Sequence, residues 1–433
     1  MNQTAITSLF AWEALDSRGK PTVACEVKLA GGARGQATVP SGASTGRHEA
    51  HELRDGGERY GGMGVSRAVA HVNNELAAAT RGLDATDQAT VDGTLRATDG
   101  SAELERLGAN AVLAVSVATA VASAAATGRA LYRAVADPEA RPLLPLPMVN
   151  ILSGGAHAGR AIDVQDFLAV PLGARSFAEA IEMCARVRRG TAEVLAAKGL
   201  PVALVADEGG LGAVLASNRE ALELVVAGVE HAGLQPGQDV GIAIDVAATQ
   251  FVTDGGDYIL AAEGQRRLRP DELVEELASW CAEYPIVSLE DALAEDDWSG
   301  WRTVTRRLAG RQILGDDLFV THADRLERGI EDGVANAVLV KPNQVGTLSD
   351  ARAVVRRAQD AGYGTVLSAR SGETEDTWLS DLAVGWRTGQ IKVGSTMRSE
   401  RTAKWNRLLR IEAELGDAAD YAGAAALTGL LSA

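Results

Sequence analysis

Six short apolar runs in the second half of the chain each end on a charged residue. They are VGIAID at Asp245, PIVSLED at Glu290, RQILGDD at Asp316, NAVLVK at Lys341, GTVLSAR at Arg370 and GQIK at Lys392. Three carboxylates are thus followed by three cations. Gathered in one place, Asp245, Glu290 and Asp316 form an oxygen-only donor set suited to a hard divalent cation, most simply Mg²⁺. Without a cation they repel one another. Cations beside a metal imply an anionic substrate, and Arg370 offers a planar fork that fits phosphate or carboxylate. Lys341 or Lys392, close to a divalent cation, has reason for a depressed pKa and a general-base role. Metal, lysine base and anion clamp together suit removal of a proton next to a carboxylate, whose enediolate needs strong charge stabilisation. The competing reading is that the acids cap the helices that follow and the lysines merely pair with them. Three such acids in consecutive units weigh against it.

Two loops add polar groups. VPSGASTG, from Val39 to Gly46, is a small-residue loop with hydroxyls. It suits close backbone approach to a metal-bound phosphate, or a lid, or an ordinary turn. It lacks the GK[ST] ending of a P-loop, so nucleotide binding through it is not supported. ADEGG sets Asp207 and Glu208 before a glycine pair. Glu208 there is either a general acid or part of a solvated turn. GGAHAG is weak alone, since a lone His157 is more often structural.

These groups need strands to carry them. The last five run-ending residues follow one another at intervals of 26, 25, 29 and 22 positions, about one strand plus one helix each. Fully apolar strands imply burial on both faces and hence a parallel sheet covered by helices. Repeated at this length, the pattern predicts a β/α barrel with reactive groups at the C-terminal strand ends. A doubly wound open sheet is the runner-up. Upstream, the first ~60 residues read as short strands with glycine-rich turns, and Val65 to Ala136 reads as helix. ARPLLPLPMVN, with Pro142, Pro145 and Pro147, is the best linker candidate. The predicted division is an α+β domain over 1–137 and the barrel over 138–433.

The chain has 433 residues and a formal net charge of −16, which disfavours nucleic acid or an anionic membrane as partner. Three scattered cysteines, Cys25, Cys184 and Cys281, suggest neither a disulfide framework nor a zinc site. The first residues lack the pattern of a signal peptide. The uncharged run from Ala109 to Thr127 is Ala-rich and predicts a buried helix rather than a membrane span. A cytoplasmic location is the expectation.

From about residue 5 to 423 the chain resembles enolase. LDSRGKPTV, VPSGASTG, LGANAVLAVS, ADEGG, SLEDALAEDDW, GDDLFVT, KPNQVG, RSGETED, TGQIK and RSERTAKWNRLLRIE stand in enolase order and spacing. The resemblance implies an α+β domain capping the barrel, in a homodimer or larger ring. It implies a structural Mg²⁺ held by Asp245, Glu290 and Asp316, and a second Mg²⁺ that arrives with substrate and is met by Ser44. Lys341 would take the C2 proton of 2-phosphoglycerate and Lys392 would hold its carboxylate. Glu208 would act as acid towards the C3 hydroxyl. His157, Gln165 and Asp166 would line the site, Arg370 and Ser371 would bind phosphate, and Gly42 and Ala43 would belong to the substrate loop.

The chain also departs from the enolase pattern. Enolases read SHRSGETED where this chain reads SARSGETED, so Ala369 replaces a histidine. Asp166 stands for Glu in the QEF motif, and NGGSHA reads SGGAHA through Ser153 and Ala156. FAPN becomes Leu211-Gly212-Ala213-Val214, SIEDPF becomes SLEDAL with Ala292 and Leu293, and KVNQ becomes KPNQ at Pro342. An intact enolate-forming centre in a retuned pocket implies a second, bulkier substrate. The reaction expected is carboxyphosphonoenolpyruvate synthesis, joining CMP-5'-phosphonoformate to an enolpyruvate unit in phosphinate natural-product biosynthesis. The alternatives are phosphopyruvate hydratase and a non-catalytic binding protein on an enolase scaffold.

Overall fold

A computed structural model describes residues 2–43 and 46–427. Ile6–Leu15 (β1), Pro21–Leu29 (β2) and Arg34–Thr38 (β3) form an antiparallel sheet in the order β1-β2-β3. Val23, Cys25, Val27 and Leu29 of the central strand are buried. Helix α1 spans Gln88–Asp99, started by Asp87, whose side chain accepts the backbone N–H of Thr90. Helix α2, Ala109–Ala126, lies across β2 and β3 and is buried through most of its length. It is apolar on every side because it is a core helix, as its composition predicts. Its small residues let main chain approach main chain. A Cβ built on Gly35 of β3 would stand 2.1 Å from Ala122 N and 2.2 Å from Ala118 O.

The second unit is an eight-stranded barrel. Its strands are β4 (Leu146–Ser153), β5 (Asp166–Val170), β6 (Gly241–Asp245), β7 (Ile286–Glu290), β8 (Gln312–Gly315), β9 (Ala337–Val340), β10 (Gly364–Ser368) and β11 (Gly389–Gly394). Each pairs with the next and β11 pairs back to β4, which closes the ring. All six predicted run-ends fall at, or one or two residues past, the C-terminal end of a strand or inside it.

Two expectations need correction. The barrel is not wholly parallel, because β5 runs antiparallel to both β4 and β6. Its N-terminal end therefore lies where its neighbours' C-terminal ends lie, and this brings Gln165 and Asp166 to the same mouth. The proline-rich stretch is also more than a linker, since Pro147 is the second residue of β4. Pairing between β4 and β5 begins only at Val149, so the N–H that proline lacks faces no partner on that side.

Side-chain alternation then stacks the interior in layers. Met148, Leu168, Ala243, Leu314, Leu339 and Val366 fill an apolar layer inside the barrel. Gln312 and Gln390 exchange hydrogen bonds of 2.8 and 3.1 Å, and Gln312 Nε2 also donates to Ser288 Oγ at 3.0 Å. Two residues further along β8 and β11 from this polar layer, period two delivers Leu314 and Lys392 to the inner face; one more step of two past Leu314 gives Asp316. The N-terminal unit docks on this end. Ser41 and Gly372 exchange backbone hydrogen bonds of 2.9 Å, and Ser17 N donates to Glu373 O at 2.8 Å.

The close approach at Gly35 sets a test. Gly35→Val should lower the thermal midpoint by several degrees, because overpacking of this kind costs about 1–3 kcal/mol. Gly93 lies in α1 with nothing within 4 Å of a built Cβ, so Gly93→Ala should hold or raise the midpoint, through a stability gain of about 0.5–1 kcal/mol. Calorimetry of both variants checks the pair.

Candidate active site

The barrel mouth gathers most of the residues marked by the sequence. A cavity of about 20 Å³ is lined by His157, Gln165, Glu208, Asp245, Lys341, Ser368, Ala369, Arg370, Ser371 and Lys392. Asp245 and Glu290 are register partners on β6 and β7, and Asp316 follows directly on β8. All three carboxylates are buried.

The two lysines sit among these acids. Lys392 Nζ lies 2.7 Å from Asp245 Oδ2 and 2.7 Å from each oxygen of Glu290. Lys341 Nζ pairs with Asp316 Oδ2. Burial alone would lower both lysine pKa values, but the facing carboxylates outweigh it and hold both above the usual lysine value. The depressed lysine expected from the sequence is therefore not the state seen here. Gln165 Nε2 donates to Asp245 Oδ2 at 2.9 Å, and Gln344 Nε2 donates to Asp316 Oδ1 at 3.0 Å.

The donor set fits a hard divalent cation. It is all oxygen, buried and supplied by three adjacent strands, and with the two ammonium groups it sums to −1. One divalent cation would reverse that sign to +1, which suits an anionic substrate. Among the described residues, the groups whose ligand atoms already lie within 4.8 Å of one another are different ones, His157–Asp166–Glu208 and Asp291–Asp316–Asp317; Asp245, Glu290 and Asp316 are held by the two lysines instead. Asp291 accepts the backbone N–H groups of Asp316 at 3.0 Å and Asp317 at 2.8 Å, so it acts as a clip that shapes the turn after β8.

The same cavity holds His157 between two carboxylates. His157 Nδ1 lies 2.8 Å from Asp166 Oδ2, and His157 Nε2 lies 3.8 Å from Glu208 Oε1. The other oxygen of Asp166 accepts from Ser153 Oγ at 2.8 Å and from Asn150 Nδ2. Burial would lower the His157 pKa, but Asp166 and Glu208 pull it up to about 9. Burial would raise Glu208, yet His157, Arg401 and the two lysines draw it below the usual value. Both directions favour a charged His157–Glu208 pair, imidazolium facing carboxylate.

Arg370 and Ser371 line the same cavity. Arg370 Nη1 donates to Glu49 Oε2 at 2.8 Å and to Asn343 Oδ1 at 3.2 Å, and Nη2 reaches Glu49 Oε1 at 3.2 Å. Ser371 Oγ accepts the backbone N–H of Ala43 at 2.7 Å. Arg18 Nη2 donates to Gly42 O at 3.1 Å. Gly42 and Ala43 thus lie against the phosphate-side residues, while Ser44 is outside the described residues. Sequence reasoning missed Glu49, Asn150, Arg18, Gln344 and Arg401. Arg401 is fully buried and donates to the backbone carbonyls of Arg370, Val393 and Ser371 at 2.6–2.9 Å. Its signal was its place on the buried face of the helix Ser399–Leu415, in line with Trp405, Leu408 and Ile411.

Against known families, residues 6–135 match the enolase N-terminal domain and residues 141–429 match the enolase C-terminal TIM barrel domain.

The His157 pair has a defined pH signature. A histidine raised from 6.5 to about 9 contributes stability that is fully present below about 6.5 and is lost as pH rises through about 9. Asp166→Asn should bring the His157 titration down by more than one unit in an NMR titration of the imidazole. An unchanged midpoint would show that Asp166 does not hold the charge.

Proposed function

The chain belongs to the enolase family, and on that premise we propose that it is a Mg²⁺-dependent lyase converting 2-phosphoglycerate to phosphoenolpyruvate. The observation that carries this reading is the complete set of paired charges at the barrel mouth, with both lysines in contact with the three carboxylates. A divalent cation held by Asp245, Glu290 and Asp316 would supply positive charge for the enediolate oxygens and take over the carboxylates that now pair with the lysines.

The protein's own groups divide the rest of the work. Lys341, as the free amine, takes the C2 proton, and Lys392 faces the substrate carboxylate. Arg370 and Ser371 take the phosphate, with Glu49 giving up the guanidinium fork as the phosphate enters. As the C2 electron pair forms the double bond, the C3–O bond breaks. The departing hydroxide collects a proton from the His157–Glu208 pair and leaves as water. Because that proton rests on His157, the imidazolium is its store and Glu208 the group that relays it. Gln165 fixes Asp245, and Asp166 fixes His157. The small cavity excludes bulk water, which strengthens each of these interactions. A homodimer or larger homo-oligomer and a cytoplasmic location go with this reading.

A second reading rests on one specific position. Ala369, 5 % exposed, lines the cavity without a polar group where enolases place histidine. That favours the synthase reaction with CMP-5'-phosphonoformate as second substrate. Phosphorus NMR of the protein with Mg²⁺ and 2-phosphoglycerate separates the two. Growth of the phosphoenolpyruvate signal supports the hydratase. No conversion until CMP-5'-phosphonoformate is added supports the synthase. No Mg²⁺-dependent uptake of 2-phosphoglycerate in calorimetry would leave only a non-catalytic scaffold. Under the hydratase reading, Lys341→Ala should lower kcat about 10²–10⁴-fold, the usual worth of a positioned base, and removal of Mg²⁺ by chelation should abolish turnover reversibly.

A further inference from the structure

Eight large apolar side chains stand exposed among the described residues, and four of them, Val202, Leu204, Val205 and Val214, fall within residues 202–214. They do not lie on a remote face. They belong to the segment that carries Glu208. Ala206 N donates to Gly210 O at 2.9 Å and Gly212 N donates to Leu204 O at 3.3 Å, which closes a short hairpin around the ADEGG turn. Asp207 N donates to His157 O at 3.1 Å and ties that hairpin to the turn bearing the histidine. Glu208 is buried in the catalytic cavity, while Leu204 is 58 % and Val214 77 % exposed.

Between these elements lies a chamber of about 560 Å³ lined by His157, Ala158, Leu204, Val205, Ala213 and Val214 among others. His157 is shared with the charged cavity of about 20 Å³. Asp207 and His157 are the ionisable residues of its lining, and it contains neither lysine nor arginine. The charge of His157 is already met by Asp166 and Glu208, so an anionic group would find no free counter-charge there and would face Asp207, which makes a phosphate or nucleotide a poor guest. Exposed apolar surface of this kind marks a binding site rather than packing. The departures at Gly212, Ala213 and Val214 line the same chamber, and Val214 puts an isopropyl group in water where the enolase motif has asparagine.

We propose that this chamber is a subsite for an uncharged hydrocarbon substituent on C3 of the substrate. The preferred substrate class is then a 2-phosphonooxy-3-hydroxyalkanoate longer than 2-phosphoglycerate. The proposal rests on the enolase-type reading of the neighbouring cavity. The chemistry balances as before: C2 loses a proton, C3 loses its hydroxyl as water, and a 2-phosphonooxy-2-alkenoate forms with its alkyl group beyond Glu208. The polar end of the molecule occupies the small charged cavity, and its chain is directed towards the chamber at His157, the residue that lines both.

The test uses 2-phosphonooxyalkanoates of three to eight carbons, which lack the 3-hydroxyl and so bind without turnover. With Mg²⁺ present, calorimetry should show affinity rising about fourfold per buried methylene. Leu204→Ser and Val214→Asn should flatten that rise and leave the three-carbon member unchanged. Affinities independent of chain length in the unaltered protein, with the three-carbon member still bound, would overturn the subsite alone. If the same variants changed the sedimentation mass while the chain-length series stayed flat, the surface would belong to a protein contact and the proposal would again fail. Failure of every member to bind would instead sink the enolase-type reading beneath it.

Discussion

Burying like charges together is the constraint on which the rest of this structure depends. Asp245, Glu290 and Asp316 share one end of a barrel, and each must be neutralised at close range because water is excluded there. Lys392 stands between the first two and Lys341 against the third. Neither lysine is near its partners in sequence. Their meeting requires every intervening strand to be present, in register and cut to the right length. The buried Gln312–Gln390 pair beneath them and the N-terminal unit over them complete the enclosure. A mouth built this way is costly to form and has no structural purpose that well-packed apolar residues would not serve better. Its retention is the physical argument for chemistry.

Much of this is legible in the sequence alone, for a specific reason. A strand buried on both faces must be apolar until it reaches the functional end, so the change from Val, Ile and Leu to one charged residue marks that end directly. Asp245, Glu290, Lys341 and Lys392 were found this way. Asp166 was not, because β5 runs in the opposite direction and presents its first residue to the mouth rather than its last. Pro147 misled for a related reason. A proline argues against a strand only where its N–H is needed, and the pairing that would need it starts two residues later. Glu49 and Asn150 left no trace in local pattern, since their partners Arg370 and Asp166 are distant in the chain or reached only by folding.

The departures from the enolase pattern fall into two physical groups. Ser153 and Asp166 touch, with the serine hydroxyl 2.8 Å from the carboxylate. The glutamate and asparagine of the enolase pattern are thus replaced together by a compact carboxylate–hydroxyl pair, and Asn150 secures the same oxygen. Asp166 keeps hold of His157, so this change is compensated within the site. Ala369 has no such partner and leaves an apolar wall in a charged cavity. Gly212, Ala213 and Val214 alter the outer face of the hairpin whose inner face holds Glu208. The charged residues of the enolase pattern are therefore present while the residues around them differ, and the hydratase reading rests on that centre.

The central claim is that this cluster of paired charges removes the proton at C2. Exchange of that proton with deuterium, followed by proton NMR of 2-phosphoglycerate in D₂O with Mg²⁺, reads the step without requiring loss of the hydroxyl or a second substrate. The account predicts exchange at C2 that is lost in Lys341→Gln, in protein that still folds and still binds the phosphate. Absence of exchange in the unaltered protein, or exchange that persists in the variant, would contradict it.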